Sequence, residues 1–418
     1  MTHVLVAIGS MGDLRPQLAL ARALMDRGAD VLLLGLDDYA DAASDCDVPF
    51  RGVGARLMGP IASPIVARVA SRHQSVGALV LRRWIRACAP AIARALAAGA
   101  RPGDVLVTGI LGLPACRVLG AALGCEVVEL ALAPTLPTAH ADSLVGAPRQ
   151  GRSPINLCCS RALRHGSLMM GAPIARVLTG GRPTRRTTVR HGSDGADSAE
   201  GAVILACSPR LLPPTGPRPS TAPGGSRCPC TTGSPTRVSP DSSAPVRHRC
   251  TWASGPCPWG TLGRPSPARR RPRAGPVCGC SSLPRPGSEA VMRTTAIMRA
   301  CSASSRTTGC CRAPPRRFTT GGAGTTHAAL AAGVPQGVVP FSLDQPYYAR
   351  RVAALGLGPA PLRPGSAGTR ALAALMVELT GAGSARGYRE RSRRAADAVA
   401  REDGARAAAE LLLAAGSR

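Results

Sequence analysis

Apolar periodicity runs through residues 1–212 and 321–418 and stops between them. Both flanks alternate short apolar runs with helical stretches. Residues 213–320 hold no apolar run long enough for a buried strand. A chain built this way can draw a core only from its two ends. With 418 residues there is room for two or three domains. The fold class and the function therefore have to be read from the flanks, and the middle treated as a separate question.

The formal charge of +28 points at first to a nucleic-acid partner. Its distribution argues otherwise. Residues 211–320 carry 17 of the 52 basic residues but only two of the 24 acidic ones, Asp241 and Glu289. All the basic residues are arginine, with no lysine, which fits GC-rich codons rather than a partner. The basic segment has few aromatics for base stacking and no recognised module. No nucleic acid is expected, and an Arg-rich nucleic-acid binder is kept only as an alternative. Residues 1–8 are too short for a secretory apolar region, and no apolar stretch reaches spanning length. The expectation is a cytoplasmic chain with reduced thiols, for which peripheral membrane contact stays open. Cys228/Cys230 and Cys278/Cys280 are CxC pairs rather than zinc-type CxxC pairs, so no metal is expected.

In the N-terminal flank, residues 3–9 read as a buried strand that leads into the turn Gly9-Ser10-Met11-Gly12-Asp13. Pro16 fits a first helical turn, and Leu18, Ala21, Leu24 and Met25 recur at helical spacing up to Gly28. Residues 31–35 form the next strand. The rhythm returns with strands over 104–107, 126–132 and 202–206 and helices over 79–99 and 113–123. These predict a doubly wound α/β domain, whose ligands bind beyond the carboxyl ends of the strands. Asp13 lies at such an end. It reads either as a cap of the following helix or as a general base whose pKa burial raises. Residues 141–200 give no decisive pattern.

In the C-terminal flank, Gly321-Gly322-Ala323-Gly324-Thr325-Thr326 opens a helix that runs through Leu330. Small residues and hydroxyls at a helix start make an anion site, because backbone N–H groups can approach a phosphate there. Residues 337–341 read as a strand with Asp344-Gln345-Pro346 just beyond it, an acid and an amide suited to sugar hydroxyls. Residues 347–357 and 370–416 read as helical, packing around the edge of this second domain.

These two blocks resemble the GT-B glycosyltransferases of the UDP-glycosyltransferase type, in the bacterial branch that glycosylates sterols, lipids and antibiotic aglycones. The N-terminal resemblance lies in Gly9-Ser10-Met11-Gly12-Asp13-Leu14-Arg15-Pro16 with Ala19-Leu20-Ala21 and Arg27-Gly28. The C-terminal one lies in residues 321–326 with Ala328-Ala329-Leu330, Gly333-Val334-Pro335-Gln336, Pro340-Phe341 and Asp344-Gln345-Pro346. It covers roughly residues 1–140, 200–212 and 321–418. The resemblance implies two Rossmann-like domains facing a cleft: an acceptor domain over 1–212 and a donor domain ending in 321–418. It also implies an inverting, metal-free transfer from a nucleotide-diphosphate sugar to a hydroxyl of a lipophilic acceptor. Asp13 matches the acceptor-activating base, and Ser10, Met11 and Gly12 the acceptor-side loop. Gly322, Ala323, Gly324 and Thr325 match the diphosphate cradle, and Asp344 and Gln345 the sugar contacts. The family pattern has two histidines immediately before Gly321, where this chain has Thr319 and Thr320.

The same family expects a strand, a Gly-rich turn and further strand–helix units between 213 and 320. Codons displaced by one position restore part of that pattern. From His248 to Gly255 they are compatible with Pro-Val-Tyr-Val-Gly-Phe-Gly, and the overlaps with Trp252 and Trp259 are forced to glycine. From Cys310 to Thr320 they are compatible with Leu-Leu-Pro-Arg-Ala-Ala-Ala-Ala-Val-His-His, which returns both histidines. One reading of 213–320 is therefore a frameshifted half of the donor domain, expected as coil. The other is a natural low-complexity insert. With the first, the translated chain is an inactive product of a glycosyltransferase gene.

Overall fold

The structure is a computed structural model that describes residues 1–57, 74–140, 151–181, 202–212, 318–340, 344–363, 367–381 and 383–416. Both readings of the middle segment fall on 213–317, outside the described residues.

Six strands form one parallel sheet: β1 (His3–Ala7), β2 (Val31–Gly35), β3 (Phe50–Gly52), β4 (Val105–Thr108), β5 (Glu126–Ala131) and β6 (Val203–Leu205). Their order is β3-β2-β1-β4-β5-β6. In register, His3 lies between Val31 and Val105, and Val6 between Leu34 and Thr108. Every residue of β1 is buried, as expected of a central parallel strand covered on both faces. The expected doubly wound domain is present, and its order reverses between β1 and β4.

The helices are α1 (Met11–Met25), the short α2 (Ala40–Ser44), α3 (Gln74–Gly99), α4 (Leu113–Leu123) and α5 (Pro154–Leu178). Leu14, Leu20 and Leu24 of α1 share one core with Leu5, Leu33, Ile85, Ile92 and Cys116. Each such leucine or isoleucine, fully buried, contributes roughly 1.5–3 kcal/mol. α1 starts five residues before Pro16, so that proline sits inside the helix and not in its first turn. At α4 the chain stops on Gly124 at φ 68°, whose N–H returns to Gly120 O. Helix α5 is the element that the basic stretch 141–200 conceals. It is pinned by Arg164, which places two guanidinium nitrogens 2.7 and 2.6 Å from the two carboxylate oxygens of Glu129 on β5. Both side chains are almost fully buried.

The C-terminal flank forms a second, smaller α/β layer. β7 (Phe318–Thr319) pairs in parallel with β8 (Gly337–Val338), and α6 (Ala323–Ala331) connects them. Among the described residues, this layer includes residues 318–321, at and just ahead of the expected boundary at Gly321. Then follow α7 (Gln345–Ala354), α8 (Thr369–Thr380), α9 (Ser384–Val399) and α10 (Gly404–Gly416). α10 departs from the expectation that residues 370–416 stay with the second domain. Its Ala408, Ala409 and Leu412 enter the N-terminal core beside α1, and Arg27 reaches Glu410 at 3.1 Å. Among the described residues, no helix is long and apolar enough to cross a membrane.

Candidate active site

The turn after β1 shapes the first half of the site. Ser10 caps α1: its Oγ accepts from Gly12 N at 3.2 Å. Asp13 Oδ2 accepts in return from Ser10 N at 2.7 Å and from the Ser10 hydroxyl at 3.2 Å. Asp13 is therefore a capping partner. It also stands in the crevice where the sheet order reverses, the position at which doubly wound sheets bind ligands. A methyl group added at Gly109, just past β4, would lie 3.8 Å from Asp13 Oδ1. One added at Gly9, whose φ is +150°, would lie 2.3 Å from Asp13 Oδ2. Only glycine at position 9 lets the carboxylate fold back over the turn.

Protein packed around Asp13 strips solvent from its carboxylate and pushes the pKa from 3.8 up to about 6. The two hydrogen bonds from Ser10 oppose that push, and the negative charge of Asp344 adds a smaller one. Asp13 as a residue keeps part of its surface open to solvent. Ser10 and Met11 are exposed and Gly12 half-buried at its lip. Tyr39, which no sequence motif marks, is buried behind the turn and donates its hydroxyl to Gly9 O. Burial, then the charges of Asp13 and Asp38, raise its phenol pKa.

The second half of the site is the turn between β7 and α6. Gly321 takes φ +76°, and a Cβ there would meet Val338 Cγ1 at 2.6 Å. Gly322 caps α6. The first-turn N–H groups of Ala323, Gly324 and Thr325 have no intrahelical partner by construction. The N–H of Ala323 instead meets Asp344 Oδ2 at 2.8 Å. Asp344, expected as a sugar contact, thus holds the helix start at which the phosphate cradle was expected. Burial raises its pKa and the Ala323 N–H pulls it back down. Gln345 opens α7 directly beside it, half-buried. Thr325 Oγ1 donates to Gly322 O at 2.9 Å. Thr319 is buried, and its Oγ1 accepts from Gly321 N at 3.2 Å.

His327, also unforeseen, joins the two layers. Its Nε2 accepts from Ser208 N at 3.1 Å, and Nδ1 lies 2.7 Å from Ala323 O. The first contact requires an unprotonated Nε2, so Nδ1 carries the proton. Burial depresses the pKa to about 4. Around it, Ser208 Oγ donates to Glu402 at 3.0 Å, and Tyr347 and Arg351 bond Leu211 O at 3.1 and 3.0 Å. This joint brings Asp344 near enough to Asp13 for their charges to interact. Among the described residues, no group of three His, Cys, Asp or Glu side chains could hold a metal ion.

Residues 317–412 match the family model described as erythromycin biosynthesis protein CIII-like, C-terminal domain. Vancomycin aglycone glucosyltransferase of Amycolatopsis orientalis is 50% identical over 101 residues, 23% of this chain and 23% of that protein. A sterol 3-beta-glucosyltransferase of Arabidopsis thaliana is 55% identical over 42 residues, 10% of this chain and 7% of that one. The chain thus matches less than a quarter of the length of these curated relatives. Among solved structures, the calicheamicin glycosyltransferase CalG4 aligns with a TM-score of 0.50 at 19% identity, over 100% of this chain and 98% of its own. The glycosyltransferase VinC, in complex with dTDP, aligns with a TM-score of 0.50 at 14% identity over 100% of both chains. The expected GT-B fold, α/β with a parallel sheet, is the fold these neighbours share with this chain.

Proposed function

We propose that this GT-B chain is built to move a sugar from a nucleotide-diphosphate donor to a hydroxyl of a lipophilic acceptor, such as a secondary-metabolite aglycone, a sterol or a lipid. The observation that carries the reading is Asp13. It is a carboxylate at the reversal of the sheet order, with its pKa raised to about 6, near Asp344 and the start of α6. A base poised close to neutral pH can accept the acceptor's hydroxyl proton. The acceptor oxygen then bonds to the anomeric carbon from the face opposite the diphosphate. The carbon–oxygen bond to the phosphate breaks, the configuration inverts, and the nucleoside diphosphate leaves. N–H groups of Gly322, Ala323, Gly324 and Thr325 would take up the charge that grows on it. For that, Asp344 must turn from Ala323 N towards the sugar hydroxyls, with Gln345 alongside. The test is transfer from thymidine- and uridine-diphosphate sugars to a panel of lipophilic aglycones. Asp13→Asn should lower turnover by about 10²–10⁴-fold. Undiminished transfer by that variant would remove Asp13 from the reaction.

A second reading is favoured by Thr319. Its hydroxyl oxygen accepts from Gly321 N, and it lacks the imidazole that the resemblance implies at this position. On this reading the donor site is crippled and the chain is an inactive product. Titration calorimetry with thymidine diphosphate separates the two. Micromolar or tighter binding by the unaltered chain rejects the second reading. Binding gained only after Thr319→His with Thr320→His supports it.

A further inference from the structure

Tyr39 has no role in the proposed reaction and makes no hydrogen bond to Asp13, yet it bonds the turn that carries it. Its hydroxyl donates to Gly9 O, and the Ser10 N–H donates to Asp13 Oδ2 at 2.7 Å. Gly9 C=O and Ser10 N–H belong to one peptide group. In a trans peptide they point in opposite directions from the same plane, and no cis peptide is present among the described residues. Tyr39 and Asp13 therefore grip the two edges of a single peptide. We propose that Tyr39 is a positioning residue that acts on Asp13 through the Gly9–Ser10 peptide.

The physical basis is polarisation. Donation to a carbonyl oxygen draws electron density along the amide and makes its N–H a better donor, so linked hydrogen bonds strengthen one another. A stronger Ser10 N–H stabilises the ionised form of Asp13 and offsets part of its desolvation. The same bond fixes the plane of a peptide that glycine leaves free to turn, and Gly9 sits at φ +150°. Tyr39 can hold that plane because it is itself immobile. It is 3% exposed, and its ring lies close to the backbone of Gly35. The charged groups facing this arrangement are Asp344 across the cleft and Asp38 beside the phenol, both of one sign. Neither can replace a donor to Gly9 O.

The inference rests on Asp13 being the base, but its test is read without substrate. The full chain is labelled with ¹³C at aspartate carboxyls, and the Asp13 resonance is identified by its loss in Asp13→Asn. Tyr39→Phe keeps the ring and removes the hydroxyl. The titration midpoint of Asp13 should then rise by about half a pH unit. A midpoint that stays within 0.1 unit, or falls, overturns the proposal. Site-specific 3-fluorotyrosine at position 39 keeps the fold and makes the phenol a stronger donor. It should move the midpoint the other way, and an upward or absent shift refutes the relay even if Tyr39→Phe does not fold. If the enzyme turns over, the acid limb of its kcat profile should follow the same two shifts while the donor KM stays put. Transfer abolished by Asp13→Asn but with an unmoved midpoint in both Tyr39 variants leaves the base in place and removes Tyr39 from its control.

Discussion

Replacing Asp13 by asparagine should make the folded protein more stable at neutral pH while removing its proposed chemistry. Burial lifts the carboxyl from 3.8 to about 6 in the folded state. For an acid, that means the native chain still holds a proton between those two values when the unfolded chain has lost it. The associated stability is fully present below about 3.8 and is lost as pH rises through about 6. Above that, the ionised group is a burden of at most about 3 kcal/mol, at 1.36 kcal/mol per pH unit. Asp13 is partly open to solvent, and screening reduces the figure to about 1–2 kcal/mol. Asparagine is neutral throughout, and its Oδ1 can still accept the Ser10 N–H. Urea unfolding of both proteins from pH 4 to 8 reads the difference directly, and other titrating groups cancel between them. The two should be equally stable near pH 4 and diverge by about 1–2 kcal/mol above pH 6.5 in favour of Asp13→Asn. A flat difference, or a less stable variant at pH 8, would show that Asp13 is not desolvated and would remove the ground for a base poised near neutrality.

Three more outcomes follow from the geometry. Neutral His327 is held by Ser208 N, and its pKa is depressed to about 4, so stability should fall by up to about 3 kcal/mol as pH drops from 6.5 through 4. His327→Gln should flatten that limb in pH-dependent calorimetry. Glu129→Leu removes the carboxylate that balances the buried Arg164 guanidinium and should destabilise by about 3–5 kcal/mol, and adding Arg164→Met should recover most of the loss in denaturant titrations. Gly9→Ala places a methyl 2.3 Å from Asp13 Oδ2 at φ +150°, so it should abolish transfer and move the Asp13 resonance. The same change at Gly109, whose methyl would sit 3.8 Å from Oδ1, should be tolerated in folding.

What could be seen in the sequence was whatever has a period or a turn residue to mark it. β2 and α4 lie where apolar runs and the bounding glycines Gly28 and Gly124 put them. The turn glycines placed Asp13 at the carboxyl end of a strand, and its capping contact with Ser10 was one of the two readings its position allowed. Three kinds of feature left no mark. β3 is three residues long, with Arg51 turned outward, too short to show alternation. α5 has a polar, basic face and holds the sheet through one buried ion pair, and Arg164 looks in sequence like any other arginine. Tyr39 and His327 work through backbone atoms 30 and 119 positions away, on Gly9 and Ser208. Such distances have no sequence signal without a fold to close them. Likewise, that Asp344 covers Ala323 N could not be read from spacing, since 21 residues separate them.

Among the described residues, the pieces that place Asp344 near Asp13 lie within the two flanks. His327, Tyr347, Arg351 and Glu402 hold residues 208–212, and α10 carries the chain back into the N-terminal core beside α1. None of these residues belongs to 213–317. The turn that carries Asp13 and its alignment with the start of α6 therefore draw on described residues outside 213–317. On the frameshift reading, the loss would fall on the donor side, ahead of Gly321, where Thr319 and Thr320 stand at the positions of the two histidines that the resemblance implies. Loss of donor binding and loss of the Asp13 environment should thus come apart in experiment. A chain that fails to bind thymidine diphosphate should still show an Asp13 titrating near 6, because the groups that set that value are Ser10, Asp344 and the protein packed around the turn. An Asp13 midpoint near 3.8 in the unaltered chain would mean that the cleft does not assemble from the flanks alone.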